Sequence, residues 1–206
     1  MGDASTVLNL AAWQARSLSN GPGCRYVLWL QGCFRKCPGC VNAPMQPHVI
    51  RHVRGVDEVA AAILAAPDIE GVTYSGGEPL EQLKPLVVLS RRLRQAGLSI
   101  VCYTGYTLQE LQRSGHRDVS ELLDCVDILI DGPFLRDQAA CLLWRGSRNQ
   151  QVHFLTERYR AWSASVEVAA AQVEMRLGDG CLVTSGNWPD GFVEELELAL
   201  RQPDLA

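Results

Sequence analysis

The stretch Tyr26-Val27-Leu28-Trp29-Leu30-Gln31-Gly32-Cys33-Phe34-Arg35-Lys36-Cys37-Pro38-Gly39-Cys40 carries the first decision about this chain. Residues 26 to 31 form a short, nearly continuous apolar run, the pattern of a buried strand. From its C-terminal end that strand delivers three cysteines spaced C-x3-C-x2-C. Thiolates so close in sequence converge on one small inorganic centre, because Pro38 and Gly39 let the backbone curl around it. An ordinary electron-transfer cluster takes four thiolates and a structural zinc four ligands, so a set of three leaves a position for a reactant. The spacing alone does not separate zinc from iron.

Outward from this loop, apolar runs alternate with helical segments. Val56 to Ala66 reads as a helix, and Val72 to Tyr74 as a short strand running into Ser75-Gly76-Gly77-Glu78-Pro79. Leu80 to Ala96 reads as a helix containing the awkward Pro85 and stopped by Gly97. Leu98 to Tyr103 and Val126 to Ile130 are strands, with short helices at Thr107 to Arg113 and Val119 to Leu123 between them. This β-α-β-α order predicts an α/β fold with parallel strands and right-handed crossovers, in an open sheet or a partial barrel. Both arrangements gather their sites at the C-terminal strand ends. The cysteine loop, the Gly-Gly-Glu turn, Thr104-Gly105 and Asp131-Gly132 would therefore share one rim. After about Gln150 the pattern changes to a last strand (Gln151 to Leu155), a hairpin across Gly178-Asp179-Gly180 and a closing helix at Phe192 to Leu200.

With 206 residues and no linker, the chain is expected to be one domain, its core about 20–155 and an extension about 156–206. Its 47% hydrophobic and 20% charged residues describe a globular protein rather than a disordered one. A net charge of -4 offers no basic face to nucleic acid, and no apolar run reaches membrane-spanning length. The first residues lack a signal-peptide pattern, which points to the cytoplasm and to thiols rather than disulfides for the eight cysteines. Cys24, Cys102, Cys125, Cys141 and Cys181 are scattered in apolar contexts and are expected to be small buried hydrophobes.

The turn Tyr74 to Pro79 exposes backbone groups at two glycines beside a carboxylate, yet the same residues also make an ordinary start for a helix. Taken with the cysteine loop, it makes the chain resemble the radical S-adenosylmethionine (SAM) superfamily, and within it the activating enzymes of glycyl-radical enzymes. Gly21-Pro22-Gly23-Cys24-Arg25-Tyr26, Gln31-Gly32-Cys33, Cys37-Pro38-Gly39-Cys40 and Asn42 are similar to that family's segment leading into its cluster loop. Tyr103-Thr104-Gly105-Tyr106-Thr107, Asp131-Gly132-Pro133-Phe134 and Arg145-Gly146-Ser147-Arg148-Asn149-Gln150 resemble later segments of the activases of anaerobic ribonucleotide reductase. Pro-Gly before the last cysteine fits that branch, while Val41 stands where His or Tyr is often found.

The resemblance implies a partial (β/α) barrel of the radical SAM type, with a C-terminal β-hairpin and helix. It implies that Cys33, Cys37 and Cys40 ligate three irons of a 4Fe-4S cluster, with SAM chelating the fourth. Ser75, Gly76, Gly77 and Glu78 would then hold the SAM amino group, Gly39 and Val41 would offer backbone to the adenine, and Thr104 and Asp131 would be polar contacts to SAM or a cation. The reaction implied is reductive cleavage of SAM to a 5'-deoxyadenosyl radical, which takes hydrogen from a glycine of a partner glycyl-radical enzyme. A flavodoxin or ferredoxin would supply the electron, and no side chain is singled out as a catalytic acid or base.

Two other readings stay open at the level of sequence: a radical SAM enzyme acting on a small molecule or peptide, and a non-catalytic zinc or iron-sulfur module. His48 and His52 follow the cysteine loop without zinc spacing and are expected to be surface residues, as are Arg51 to Arg54. Arg25 reads equally as a carboxylate contact for SAM or a partner and as a structural ion pair.

Overall fold

The computed structural model describes residues 6–178, 181–189 and 191–201. It opens with an antiparallel pair, β1 (Val7–Ser17) and β2 (Arg25–Leu30), and after the cysteine loop β3 (His52–Gly55) returns beside β1. Next come α1 (Val56–Leu64), β4 (Gly71–Gly76), α2 (Leu83–Gln95), β5 (Ser99–Tyr103), α3 (Leu108–Arg113), α4 (Arg117–Leu123) and β6 (Ile128–Asp131). A hairpin of β7 (Ala139–Leu142) and β8 (Arg145–Ser147) precedes β9 (Gln151–Phe154). A second hairpin, β10 (Val173–Gly178) and β11 (Cys181–Gly186), is followed by α5 (Phe192–Arg201).

Seven strands form one sheet in the order β3-β1-β2-β4-β5-β6-β9. The centre, β2 to β4 to β5 to β6, is parallel as expected. Both flanks are antiparallel, which the parallel order expected of the β-α-β-α stretch did not include: β1 and β3 lie outside β2, and β9 runs antiparallel to β6. Strand alternation sorts the core into two faces. Tyr26, Leu28 and Leu30 of β2, Val72 and Tyr74 of β4, and Ile100 and Cys102 of β5 pack with Ile63 of α1 and Leu86, Leu89 and Leu93 of α2. On the other face Val101, Ile128 and Ile130 meet Leu143, Trp144, Tyr159 and Val166, so the β7–β8 turn and the segment after β9 cover that side of the sheet.

Local chemistry sets the element ends. Pro85 does not break its helix, because a 3-10 turn (Pro79–Gln82) comes first and α2 starts at Leu83, placing the proline in the first turn where its missing N–H is no loss. Helix α2 stops where Gly97 adopts φ 82°, with Leu98 N–H bonding Leu93 O at 3.0 Å and Gly97 N–H bonding Arg94 O at 2.9 Å. Helix α3 begins with a capping box between Thr107 and Glu110.

The C-terminal hairpin and helix form as expected, although the turn residues Asp179 and Gly180 lie outside the described residues. Cys102 and Cys125 are buried, Cys24 is half-buried, and Cys141 is exposed, which corrects the expectation of a buried thiol there. The side chain of Cys181 lies outside those described. Among the described residues no helix is long and apolar enough to cross a membrane.

Candidate metal centre and cofactor rim

β2 feeds directly into the cysteine loop, and β4 feeds into the Gly-Gly-Glu turn beside it. Two backbone bonds staple the turn to the loop: Gly77 N–H to Leu30 O at 2.7 Å and Glu78 N–H to Gly32 O at 2.8 Å. The need for two glycines is steric as well as chemical. A Cβ on Gly77 would sit 2.1 Å from Gly32 O, and one on Gly76, whose φ is 101°, would sit 2.4 Å from Leu30 N. The loop is also tied from its far side, Gly32 N–H bonding Met45 O at 2.8 Å and Cys33 N–H bonding Gln46 O at 2.9 Å. It turns through Lys36 at φ 47° and Gly39 at φ 77°.

Burial raises the Cys33 and Cys40 thiols above their ordinary range, and Cys40 also feels the charge of Cys37 and Cys33. Among the described residues no group of three His, Cys, Asp or Glu side chains converges as a preformed metal site. The kind, number and common loop of the three cysteines still suit an iron-sulfur cluster. Gln31 Oε1 and Arg35 Nε are buried on the same loop with no hydrogen-bond partner among the described residues, as expected of a surface shaped for a further polar group.

Glu78 is 1% exposed, and its carboxylate is already engaged. Oε1 accepts from Thr104 Oγ1 at 2.8 Å and Leu80 N–H at 3.1 Å, and Oε2 accepts from Gly105 N–H at 2.8 Å. Burial pushes this carboxyl upward, and the bonds from Gly105, Leu80 and Thr104, with the Arg35 charge, oppose the rise. Glu78 therefore ties the end of β4 to the end of β5 and caps the 3-10 turn, the helix-start role that the sequence left open for it. Thr104 donates to Glu78 and accepts from Tyr106 N–H at 3.1 Å, so its hydroxyl is engaged within the protein.

Asp131, at the end of β6, accepts from Leu108 N–H at 2.6 Å and Gln151 N–H at 3.3 Å and lies 2.9 Å from His153 Nε2. Burial alone would raise its carboxyl, but His153 and those two N–H groups together hold it below the usual carboxylate range. Ser75 is half-buried on β4, and Gly39 and Val41 are exposed on the loop.

Other expected residues fall elsewhere. Arg25 is fully buried at the start of β2, the pole opposite the rim, where it donates to Thr73 Oγ1, Ser99 Oγ, Pro22 O, Val72 O and Ser99 O. It is structural and cannot reach a ligand at the rim. His48 does not join the cysteines but pairs with Glu81 at 2.6 Å, and His52 packs edge-on to Trp13.

Three comparisons place this geometry. A family model described as a 4Fe-4S single cluster domain matches residues 19–153. The anaerobic ribonucleoside-triphosphate reductase-activating protein of Salmonella typhimurium is 34% identical over 149 residues, covering 66% of this chain and 92% of the relative. That of Escherichia coli is 32% identical over 161 residues, covering 72% and 99%, and that of enterobacteria phage T4 is 34% identical over 141 residues, covering 65% and 85%. This chain belongs to the family of anaerobic ribonucleoside-triphosphate reductase-activating proteins. Among solved structures, QueE from Escherichia coli aligns with a TM-score of 0.38 and 20% identity over 50% of this chain and 53% of that one, too slight a likeness to build on.

For a member of this activating-protein family the resident group is a 4Fe-4S cluster, and the zinc-module reading falls away. Several residues of the rim escaped the sequence reading. Glu81 accepts from Phe34 N–H at 2.6 Å while holding His48. Arg35 lies over the Tyr106 ring at 4.2 Å, pairs with Glu110 at 3.4 Å and fills the space that a Cβ on Gly105 would need. Gln82 bonds Asn9 O and Gln31 O. Each contact joins residues dozens of positions apart, so no local spacing announces it.

Proposed function

We propose that this chain is a radical SAM activase which, at a 4Fe-4S cluster held by Cys33, Cys37 and Cys40, cleaves SAM and takes hydrogen from a glycine of an anaerobic ribonucleotide reductase. The observation that carries the reading is the stapling of the three-cysteine loop to the Gly-Gly-Glu turn through Gly77 and Glu78. Family membership supplies the partner by analogy with its relatives' names. When bound, the cluster and SAM supply the electron transfer and the organic radical.

The chain's own residues bind and orient. Cys33, Cys37 and Cys40 supply three thiolates and leave the fourth position open. Gly76 and Gly77 lie flat against the backbone of Leu30 and Gly32, so the turn sits flush with the cysteine loop and brings its own backbone to the rim. Because the Glu78 oxygens are engaged by Thr104, Leu80 and Gly105, its part is to fix the rim in place and supply negative potential to an ammonium group. Ser75 lies beside these residues on the same strand, while Gly39, whose Cα faces Phe134 and Arg136 beyond the end of β6, and Val41 would offer backbone to the adenine. In this reading Asp131 orients the β6 end rather than touching SAM directly, because its oxygens already hold Leu108, Gln151 and His153.

The same reading makes residues about 20–155 the catalytic unit, an open (β/α) barrel of the radical SAM type with a C-terminal extension. It takes the protein to be cytoplasmic and served by a flavodoxin or ferredoxin. The test is anaerobic reconstitution followed by electron paramagnetic resonance of the reduced cluster. Addition of SAM should change the signal, and 5'-deoxyadenosine release should rise with the reductase. A SAM-indifferent signal sinks the radical SAM reading, and stimulation by a metabolite instead of the reductase sinks the activase reading.

A further inference from the structure

The cysteine loop has two flanks, and its two adjacent middle residues face opposite ways. Arg35 turns toward the β4–β5–β6 side, over Tyr106 and Gly105, where the candidate SAM residues lie. Phe34 turns the other way and stacks on His48, with ring centroids 4.0 Å apart and planes at 27°. His48 belongs to the strand-like run that leads into β3 along the β1 side, fixed there by Asn9 Nδ2–H to Val49 O at 2.8 Å and Arg51 N–H to Asn9 Oδ1 at 2.9 Å.

This second flank is apolar and open. Phe34 is 73% exposed, and Val49 and Ile50, which follow its stacking partner His48 in the chain, are 46% and 84% exposed, apolar exposure of the kind that marks interaction surfaces. Lys36, two residues beyond Phe34 on the loop, and Arg51 beside Ile50 are exposed basic residues that have no acidic partner among the described residues. The carboxylate that meets Phe34 and His48, Glu81, is spent on the His48 ring and Phe34 N–H.

We infer that the face formed by Phe34, Lys36 and His48 to Arg51 docks an acidic one-electron carrier protein. This rests on the reading of the cysteine loop as a redox-active cluster site. Sheet order supplies the reason for choosing the carrier over the glycyl-radical partner. The substrate glycine has to reach the β4–β5–β6 flank, whereas the electron enters from any side of the cluster, and the β1–β3 flank remains accessible while the other is covered. The patch is small, as suits the weak, fast encounters of redox proteins. Basic residues around an apolar centre select a partner of opposite charge and speed its arrival. One electron leaves the carrier's reduced flavin or iron-sulfur centre and reduces the cluster on this chain; no bond or proton changes hands.

The experiment titrates oxidised flavodoxin, an acidic carrier, into the anaerobically reconstituted protein by calorimetry, for wild type, Arg51→Glu and Ile50→Asp. Stopped-flow measurement of cluster reduction by the reduced carrier accompanies it. Both substitutions lie on exposed side chains outside the cofactor rim. Each should weaken binding and slow reduction by about tenfold at low salt, and the Arg51→Glu deficit should shrink as salt is raised. Reduction by dithionite and the response of the reduced cluster to SAM should match wild type in both variants. Wild-type affinity and rate in both variants overturn the assignment. So does a loss of binding to the glycyl-radical partner with carrier binding intact, which gives the face to that partner. Failure of the underlying reading looks different, since wild type itself would then show no SAM-responsive cluster.

Discussion

Glu78 and Gly77 illustrate how single atoms hold the rim together. Removing the Glu78 carboxylate strands Thr104 Oγ1–H, Gly105 N–H and Leu80 N–H in a buried site, at a cost of about 1–3 kcal/mol per unsatisfied group. Glu78→Ala should therefore lower the urea midpoint of the metal-free protein measurably, and an unchanged midpoint would mean that water replaces the carboxylate without penalty. Gly77→Ala acts differently. Its backbone does not need the left-handed region, so the harm comes from a methyl 2.1 Å from Gly32 O that pushes the loop off the turn. Folding should survive, while the spectroscopic response of the cluster to SAM should be lost. At the ligands, alanine at Cys33, Cys37 or Cys40 should abolish the iron-sulfur absorption of the reconstituted protein, whereas Cys102→Ala, buried in the core on β5, should retain it.

At the scale of elements, Asp131 links three of them, since its carboxylate bonds the first turn of α3 and two residues of β9 from the end of β6. The charges facing it are His153 on β9 and, across α3, Glu110. Its carboxyl titrates below the unfolded value, so it stabilises the fold fully above the unfolded carboxylate pKa of about 4, and that contribution is lost as pH falls through the folded value. Asp131→Asn should flatten the acid limb of the stability curve below about pH 4 and lower stability at neutral pH, as thermal melts across a pH series would record. An acid limb unchanged in the variant would show that other carboxylates carry it. The sequence made the parallel centre readable, because β2, β4, β5 and β6 are buried on both faces and read as apolar runs. It hid the flanks for equally physical reasons. β1 is an edge-side strand whose exposed and buried positions alternate irregularly across two bulges, so its period is blurred. The β7–β8 turn is built from Leu143 and Trp144, both buried and Trp144 at φ 59°, where turn signals of Asn or Gly would be sought. The rim was legible as a set of strand ends, but the partners that fix it, Arg35 with Tyr106 and Glu81 with His48, depend on side-chain directions that only the assembled sheet defines.

Across the whole molecule, the residues after β9 divide into two parts with different bonds to the body. The first, residues 156–171, is part of the core. Tyr159 donates toward Glu70 and bonds Ser99 Oγ at 2.7 Å, reaching the network around the buried Arg25, while Val166 closes the second apolar cluster. The second part is β10, β11 and α5, and its hairpin rests on the body mainly through polar contacts. Glu174 Oε2 accepts from Ser17 Oγ and Leu18 N–H, and Ser185 Oγ accepts from Asn20 Nδ2 at 2.5 Å. Its opposite face carries Met175 and Leu177, exposed by 53% and 83%, and α5 has no buried residue among those described. Little apolar area is therefore removed from water where the hairpin meets the sheet, whereas a buried leucine-sized side chain contributes about 1.5–3 kcal/mol. A chain ending at Gln172 should keep its cooperative melt, its reconstituted cluster and its response to SAM. One ending at Leu155 should lose cooperative unfolding altogether, because it opens the β5–β6 face and leaves Arg25 and Ser99 without Tyr159. Thermal melts and cluster spectra of the two truncations decide the point: if the shorter chain melts like the longer one, residues 156–171 are dispensable, and if the longer one cannot hold its cluster, the hairpin belongs to the catalytic unit.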